Sequence, residues 1–403
     1  MLNALMDRES SLHEDAAELS GRISQETVAA CLGSLGGHVR AVVLTGSLAR
    51  NEGSFLRVFN GWRLLGDAEF LVVLDKFHGI DRQREVERLK SDIENALAKD
   101  GLTCTISLAI ADDRFFRGLK PHIFAYELSR HGKVVFGEAA VLALIPQFAG
   151  SDIPLEDAWR MLGNRLVEQL EVLAGCDLLE GSLPDALFYR TVKLYLDMAT
   201  SWLLFQGKYE PSYRGRCEIL QSQSFEDGTA PFDLRAFATE VAKCTAWKLS
   251  PTEKGKPEAT SIFWYSSHHY ASRLWQWEVA QLGKHGRPEG SGPRGPRQGV
   301  SARLRGWAYV VRESGVRGIR RWPAWMAQWR RSPRFRVYFA AAELYGVLPP
   351  ILRGEADRAE TARRTESINR TLPMPASDLN GEWKLLARTI AWNYHAFLEN
   401  TRA

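Results

Sequence analysis

The sequence of 403 residues is poor in cysteine and contains no long apolar run. Its five cysteines are widely spaced, odd in number and never arranged as Cys-x-x-Cys, so they are expected to be reduced, packed thiols of a cytoplasmic protein. No apolar stretch approaches the roughly 18 residues that a membrane-spanning helix needs. The N-terminal residues also lack the apolar core of a secretory signal, which again favours the cytoplasm.

Net charge is also low, at +4, so charge alone does not predict a polyanion-binding protein. The charge is unevenly distributed, however. Residues 287–336 contain thirteen arginines, two glutamates and neither lysine nor aspartate, a net charge of +11, so the other 353 residues sum to −7. The positive charge of the protein is therefore concentrated in this one segment.

Two apolar runs enclose the most informative part of the sequence. Ala41–Leu44 and Phe70–Leu74 each predict a short buried strand. Gly46 and Ser47 follow the first run, where a strand would pass into a helix. A Gly-Ser turn offers backbone N–H groups and a hydroxyl that suit a phosphate, and the alternative is a simple strand–helix turn.

Two acidic residues, Asp67 and Glu69, stand at the entrance to the second strand. A spacing of two places both carboxylates on the same face of a strand. Because neighbouring carboxylates repel each other, such a pair indicates a cation that offsets the charge, and a divalent metal is the usual one. The alternative is an ordinary aspartate at a strand start followed by an exposed glutamate.

Together these residues resemble the DNA polymerase β-type nucleotidyltransferase superfamily, whose pattern is a strand, Gly-Ser, a spacer, and Asp-x-Asp or Asp-x-Glu on the next strand. Ala49 and Arg50 continue the match toward the small bacterial members, which include the antibiotic and the minimal nucleotidyltransferases. The resemblance covers residues 38–138, about a quarter of the chain. Nineteen residues separate Ser47 from Asp67, a long spacer, and Phe55–Leu65 is interpreted as a small insertion.

The resemblance implies Mg²⁺-dependent transfer of a nucleoside monophosphate from an NTP, with ATP expected, to a hydroxyl of a small molecule, a protein or a nucleic-acid end. Asp67 and Glu69 would be catalytic and would bind one or two Mg²⁺ ions. Gly46 and Ser47 would hold the β- and γ-phosphates. Arg50 and Lys193 would add positive charge to the triphosphate. Surface positions are the alternative for both cations, with Lys193 and the neighbouring Arg190 on a solvated helix face.

A third carboxylate, which the family places on a later core strand, has no clear counterpart. The matching strand, Thr103–Ile110, would carry Thr105, Ser107 and Ala109 on its inward face. Acids occur only beyond it, at Asp112, Asp113 and Glu127. Three alternatives follow: the base comes from the helical domain, two acids suffice, or the site is degenerate. The last makes a catalytically degenerate nucleotide-binding sensor or scaffold protein the second hypothesis.

Periodicity predicts an α+β fold: a small mixed-sheet nucleotidyltransferase core followed by all-helical bundle domains. Ile123–Leu128 and Lys133–Phe136 are predicted to form a hairpin at the end of the core. The predicted divisions are an N-terminal helix at 1–37, the core at 38–150, a helical bundle at 151–284, a Gly/Pro-rich linker at 285–299 and a basic, Trp/Arg-rich helical region at 300–403.

The arginine-rich segment at 287–336 has three interpretations. Trp322, Trp325 and Trp329 are predicted to share one helical face between flanking arginines. They would stack on the bases of a nucleic acid or other polyanion, enter an anionic membrane surface, or pack onto the bundle.

Overall fold

A computed structural model of the chain describes residues 2–75, 82–176, 183, 186–222, 230–252, 259–284, 299–315, 321–329 and 331–401. The predicted linker at 285–299 lies outside these residues except for Gly299. The architecture is mixed α and β, as predicted. Among the described residues, no helix combines the length and the apolar character needed to cross a membrane.

The chain forms two compact units. The α/β unit comprises Met1–Pro154, Gly207–Ile219 and Ala242–Pro257, and the helical unit comprises Leu155–Gln206, Leu220–Val241 and Glu258–Ala403. These units cut across the predicted divisions. The N-terminal helix belongs with the sheet, two segments of the predicted bundle join the α/β unit, and residues 300–403 share a unit with the bundle helices.

A five-stranded sheet organises the α/β unit, with its longest strand as the hub. That strand, β3, pairs antiparallel with β1 and β2 and parallel with β4, while β5 pairs antiparallel with β1, so the sheet is mixed. The strands are β1 (Val39–Thr45), β2 (Phe55–Val58), β3 (Gly61–Leu74), β4 (Leu102–Ala111) and β5 (Lys133–Gly137).

Alternation along the strands gives the sheet two buried faces. On one face, residues such as Val42, Phe70 and Ile106 pack with helices α1 (Leu2–Leu35) and α3 (Arg82–Lys99). The other face includes Val43 and Leu71. It packs with helices α4 (Asp113–Arg117) and α5 (Ile123–His131). The short helix α2 (Gly46–Ala49) directly follows β1 at the end of the sheet.

The predicted hairpin at the end of the core is wrong, because Ile123–Leu128 lies within helix α5 and only its partner forms a strand, β5. The side chain of His122 caps the helix, its Nδ1 accepting a hydrogen bond of 3.0 Å from the backbone N–H of Ala125. Ala125 and Leu128 then bury the same helical face. A cap and an i, i+3 apolar pair outweigh a strand pattern of only six residues.

Phe55–Leu65, interpreted from the sequence as a small insertion, forms a β-hairpin. β2 pairs with the first residues of β3, with Val58 opposite Gly61. Between the two strands of this hairpin, the Arg57 guanidinium lies 5.6 Å from the Trp62 ring centroid. The extra residues of the long spacer therefore extend the sheet.

The helical unit has an aromatic core. Trp159 contacts Trp275, Phe335 and Tyr338, with ring centroids 4.9–5.5 Å apart. Its helices, including two that continue into the α/β unit, are α6 (Leu155–Gly175), α7 (Ala186–Phe205), α8 (Tyr213–Ser222), α9 (Leu234–Leu249), α10 (Thr260–Lys284), α11 (Val300–Ser314), α12 (Trp322–Gln328), α13 (Pro333–Leu352), α14 (Arg358–Thr371) and α15 (Trp383–Thr401).

Candidate functional site

Gly46 and Glu69 meet at the end of the β1–β3 pair. Thr45, the last residue of β1, is in register with Glu69. Gly46 then turns the chain with a φ of +67°, a conformation that favours glycine. A Cβ at this position would lie 2.7 Å from Oε1 and 2.8 Å from Cδ of Glu69, so the absence of a side chain makes room for the carboxylate.

Asp67 lies two residues before Glu69 on the same face of β3. Its side chain is exposed, and no described cation forms an ion pair with it. The β3–β4 register is irregular between Arg63 and Asp67, where β3 contributes more residues than β4. An irregularity of this kind locally releases a strand from its partner and redirects its side chains. β3 therefore carries Asp67 and Glu69 on one face, with Glu69 beside the Gly46–Ser47 turn, and metal binding by this pair stays a prediction.

Hydroxyl groups face these acids from β4. Thr105 is in register with Asp67, and Ser107 is in register with Glu69. Partners in register carry their side chains on the same face, and both Thr105 and Ser107 are exposed. β4 thus carries hydroxyls on the strand where the family resemblance implies a third acid.

The acids beyond β4 have structural partners. Asp112 caps α4 by accepting a hydrogen bond of 2.8 Å from the backbone N–H of Phe115. Asp113 pairs with Arg40 at 2.5 Å. Both residues therefore stabilise the turn into α4. Among the described residues, no group of three or more acidic, histidine or cysteine side chains is placed to hold a metal.

Arg50 is buried instead of lying on the surface, with its side chain 6% exposed. Its Nη1 lies 2.5 Å from Oε2 of Glu127, and its Nε lies 3.2 Å from Oε2 of Glu52. Its guanidinium is also 5.5 Å from the Tyr213 ring centroid. Burial lowers the pKa of Arg50, but the charges of Glu127 and Glu52 outweigh it and raise this pKa above its usual range. Arg50 therefore binds two carboxylates within the α/β unit.

Glu52 and Glu127 also accept hydrogen bonds from residues that are distant in the chain. The Tyr209 hydroxyl donates to Oε1 of Glu127 at 2.6 Å, and the Ser212 hydroxyl donates to Oε1 of Glu52 at 2.8 Å. Lys248 Nζ donates to the Glu52 carbonyl at 3.3 Å. Burial, followed by the Glu127 charge, raises the pKa of Tyr209 above its usual range. Glu127 thus accepts hydrogen bonds from two partners and has a structural role.

Sequence patterns did not reveal this network, because its members are far apart in the chain. Ser212 lies 160 residues from Glu52, and Lys248 lies 196 residues from it. The single local signal is the close spacing of Arg50 and Glu52, which is common on protein surfaces. Only the fold shows that this pair is buried.

Lys193 belongs to the helical unit, on α7. Lys193 is half-buried, so it does not lie on a fully solvated helix face, which was the alternative prediction. The charge of Arg165, with the effect of burial added, lowers the pKa of Lys193 to about 8. Arg165 itself pairs with Glu168 at 2.5 Å and with Asp197. A contact between Lys193 and a triphosphate stays a prediction.

The three tryptophans of the basic segment divide into two groups. Trp325 is 6% exposed and packs against Trp307, with ring centroids 6.5 Å apart. Trp322 and Trp329 are 51% and 42% exposed. Two of the arginines predicted to flank them, at positions 320 and 330, lie outside the described residues.

No protein-family model matches this chain, and no curated protein matches it in sequence.

Proposed function

We propose that the α/β unit is a nucleotidyltransferase core that binds a nucleoside triphosphate, expected to be ATP, with Mg²⁺ and transfers its nucleoside monophosphate to a hydroxyl. The proposal depends on the arrangement of Gly46 and Glu69. Gly46 has a positive φ, and any side chain at this position would collide with the carboxylate of Glu69.

The residues present fit Mg²⁺ and a phosphate. Mg²⁺ prefers carboxylate and phosphate oxygens, and Asp67 and Glu69 provide carboxylates on one face of β3. The Gly46–Ser47 turn would offer a phosphate its backbone N–H groups and the Ser47 hydroxyl. Bound there, Mg²⁺ would polarise the α-phosphate and neutralise the charge that develops on the pyrophosphate.

The protein's own part in the reaction would be mainly positioning. Asp67 and Glu69 would orient the triphosphate, and the Gly46–Ser47 turn would hold its terminal phosphates. Fixing the α-phosphate in line with the acceptor hydroxyl lowers the barrier without covalent chemistry from the enzyme.

Calorimetry with a non-hydrolysable ATP analogue tests the site directly. We expect Mg²⁺-dependent binding that is lost in Asp67→Asn and in Glu69→Gln. Asp75→Asn is the matched control, since Asp75 is an exposed acid at the end of the same strand. Equal binding by wild type and both site variants would refute the proposal.

A degenerate nucleotide-binding sensor or scaffold protein is the second candidate. It is favoured by β4, where Thr105 and Ser107 stand opposite the acid pair and supply no carboxylate. Incubation with ATP labelled on the α-phosphate distinguishes the two candidates. Label transfer or pyrophosphate release that depends on Asp67 supports the enzyme, whereas Mg²⁺-dependent binding without turnover supports the sensor.

A further inference from the structure

Helices α11 and α12, in the helical unit, expose an unusual number of large apolar side chains. Six are between 41% and 61% exposed: Val300, Leu304, Val311, Trp322, Met326 and Trp329. We call these six residues the apolar patch. Isolated surface hydrophobics are normal, but a cluster of this kind marks an interaction surface.

Helical spacing explains why each half of the patch faces one way. Trp322 and Met326 lie four residues apart on one face of α12, and Trp329 is the residue that caps its C-terminus. Trp325, between them in sequence, is nearly buried and packs against Trp307 of α11. The buried tryptophan anchors α12, while Trp322, Met326 and Trp329 stay exposed to the solvent.

Side-chain contacts place the two halves next to each other. The guanidinium of Arg303 lies 5.6 Å from the Trp329 ring centroid, and Arg303 directly precedes Leu304. The indole N–H of Trp307 donates to the carbonyl of Arg331 at 3.0 Å, which fixes the chain after α12 against α11. The patch is therefore shared by adjacent helices.

Charge around the patch is mainly positive. Arg305, Arg312, Arg321 and Arg331 are exposed, and Glu313 is the only acid among the described residues from 299 to 331. A surface of mixed arginine and apolar character therefore complements a partner that is negatively charged and apolar at once.

We propose that the apolar patch and its arginines bind the surface of an anionic lipid bilayer. Basic amphipathic helices lie in the headgroup layer with their apolar face toward the acyl chains. Tryptophan is favoured at this depth, and arginines are attracted to anionic headgroups. A single-stranded nucleic acid explains the arginines and tryptophans but gives no role to Val300, Leu304 and Met326, which have no π-face on which a base can stack.

Vesicle flotation with the full chain tests the proposal. We expect binding to phosphatidylcholine vesicles that contain phosphatidylserine, weaker binding at high salt, and little binding to pure phosphatidylcholine. Leu304→Ser combined with Met326→Ser should reduce binding strongly. Ile262→Ser combined with Leu385→Ser is the matched control, because both residues are also exposed hydrophobics, and it should bind as the parent does.

The electrostatic part has its own pair of variants. Arg305→Gln with Arg312→Gln should lower the partition coefficient about fivefold for each arginine removed. Arg88→Gln with Arg364→Gln, exposed arginines on α3 and α14, should leave it unchanged. Thermal melting of each variant checks the fold. Quenching of wild-type tryptophan fluorescence by brominated lipid in phosphatidylserine vesicles tests insertion without any substitution.

Three outcomes would overturn the proposal. The first is failure of the wild type to float with phosphatidylserine vesicles. The second is tight binding of a single-stranded RNA oligonucleotide that needs the arginines and tryptophans but not Leu304 and Met326. The third is a fall in particle mass, measured by light scattering, when Leu304 and Met326 are replaced, because the patch would then join copies of this chain.

Discussion

The carboxylate of Glu69 occupies the space where a side chain of residue 46 would lie, with its Oε1 2.7 Å from the position of a Cβ. Gly46→Ala should therefore displace Glu69 and strain a backbone whose φ is +67°. We expect a loss of stability of about 1–2 kcal/mol from the left-handed conformation, with weaker Mg²⁺–nucleotide binding. Chemical denaturation and calorimetry measure the two effects.

Gly33→Ala is the control for this prediction. Gly33 lies in α1, has no positive φ, and its added Cβ would meet nothing within 4 Å. Alanine there should be neutral or stabilising. If Gly46→Ala bound nucleotide as the parent does, the turn would have only a structural role.

Arg50→Met should destabilise the protein by about 3–5 kcal/mol, because it leaves Glu52 and Glu127 buried without their cation. Arg88→Met, which breaks an exposed pair with Asp92, should cost less than about 1 kcal/mol. Urea denaturation measures both. A stable Arg50 variant with reduced ATP affinity would instead favour the phosphate-binding role predicted from the sequence.

Glu278 predicts a pH dependence of stability. Its carboxyl is buried and hydrogen-bonded to Ser201, and burial raises its pKa to about 8. The folded state therefore keeps a proton that the unfolded state loses above the usual carboxyl pKa. Its contribution to stability is complete below that pKa and is lost as pH rises to about 8, with a slope of up to about 1.4 kcal/mol per pH unit.

Glu278→Gln isolates this effect, because glutamine stays neutral. We expect the free energy of unfolding of wild type to fall relative to the variant as pH rises from 5 to 8. Parallel pH profiles of the two proteins would show that the carboxyl titrates normally.

Trp325→Ala should lower stability by about 3–5 kcal/mol, because a nearly buried indole leaves a cavity beside Trp307. Trp322→Ala is the matched control. Its indole is 51% exposed, so we expect a smaller loss. Equal losses in differential scanning calorimetry would contradict the division of these tryptophans into buried and exposed groups.

Long periodic segments and the local chemistry of the Gly-Ser turn were determined by the sequence. The strands predicted at Ala41–Leu44, Phe70–Leu74 and Thr103–Ile110 lie within β1, β3 and β4. Repeated burial of one face leaves a regular signal in such segments. The position of Gly46 and the spacing of Asp67 and Glu69 were likewise readable, since both depend on residues that are close in the chain.

Tertiary structure alone decided what depends on distant partners. The short run at Ile123–Leu128 fitted a strand in isolation, but its cap and its buried face made it a helix. The burial of Arg50 depends on Glu127, 77 residues away, and on segments beyond residue 206 that join the α/β unit. Trp322 and Trp325 look alike in sequence, and only packing against Trp307 separates the buried residue from the exposed one. Burial and charge pairing arise from contacts that no local pattern encodes.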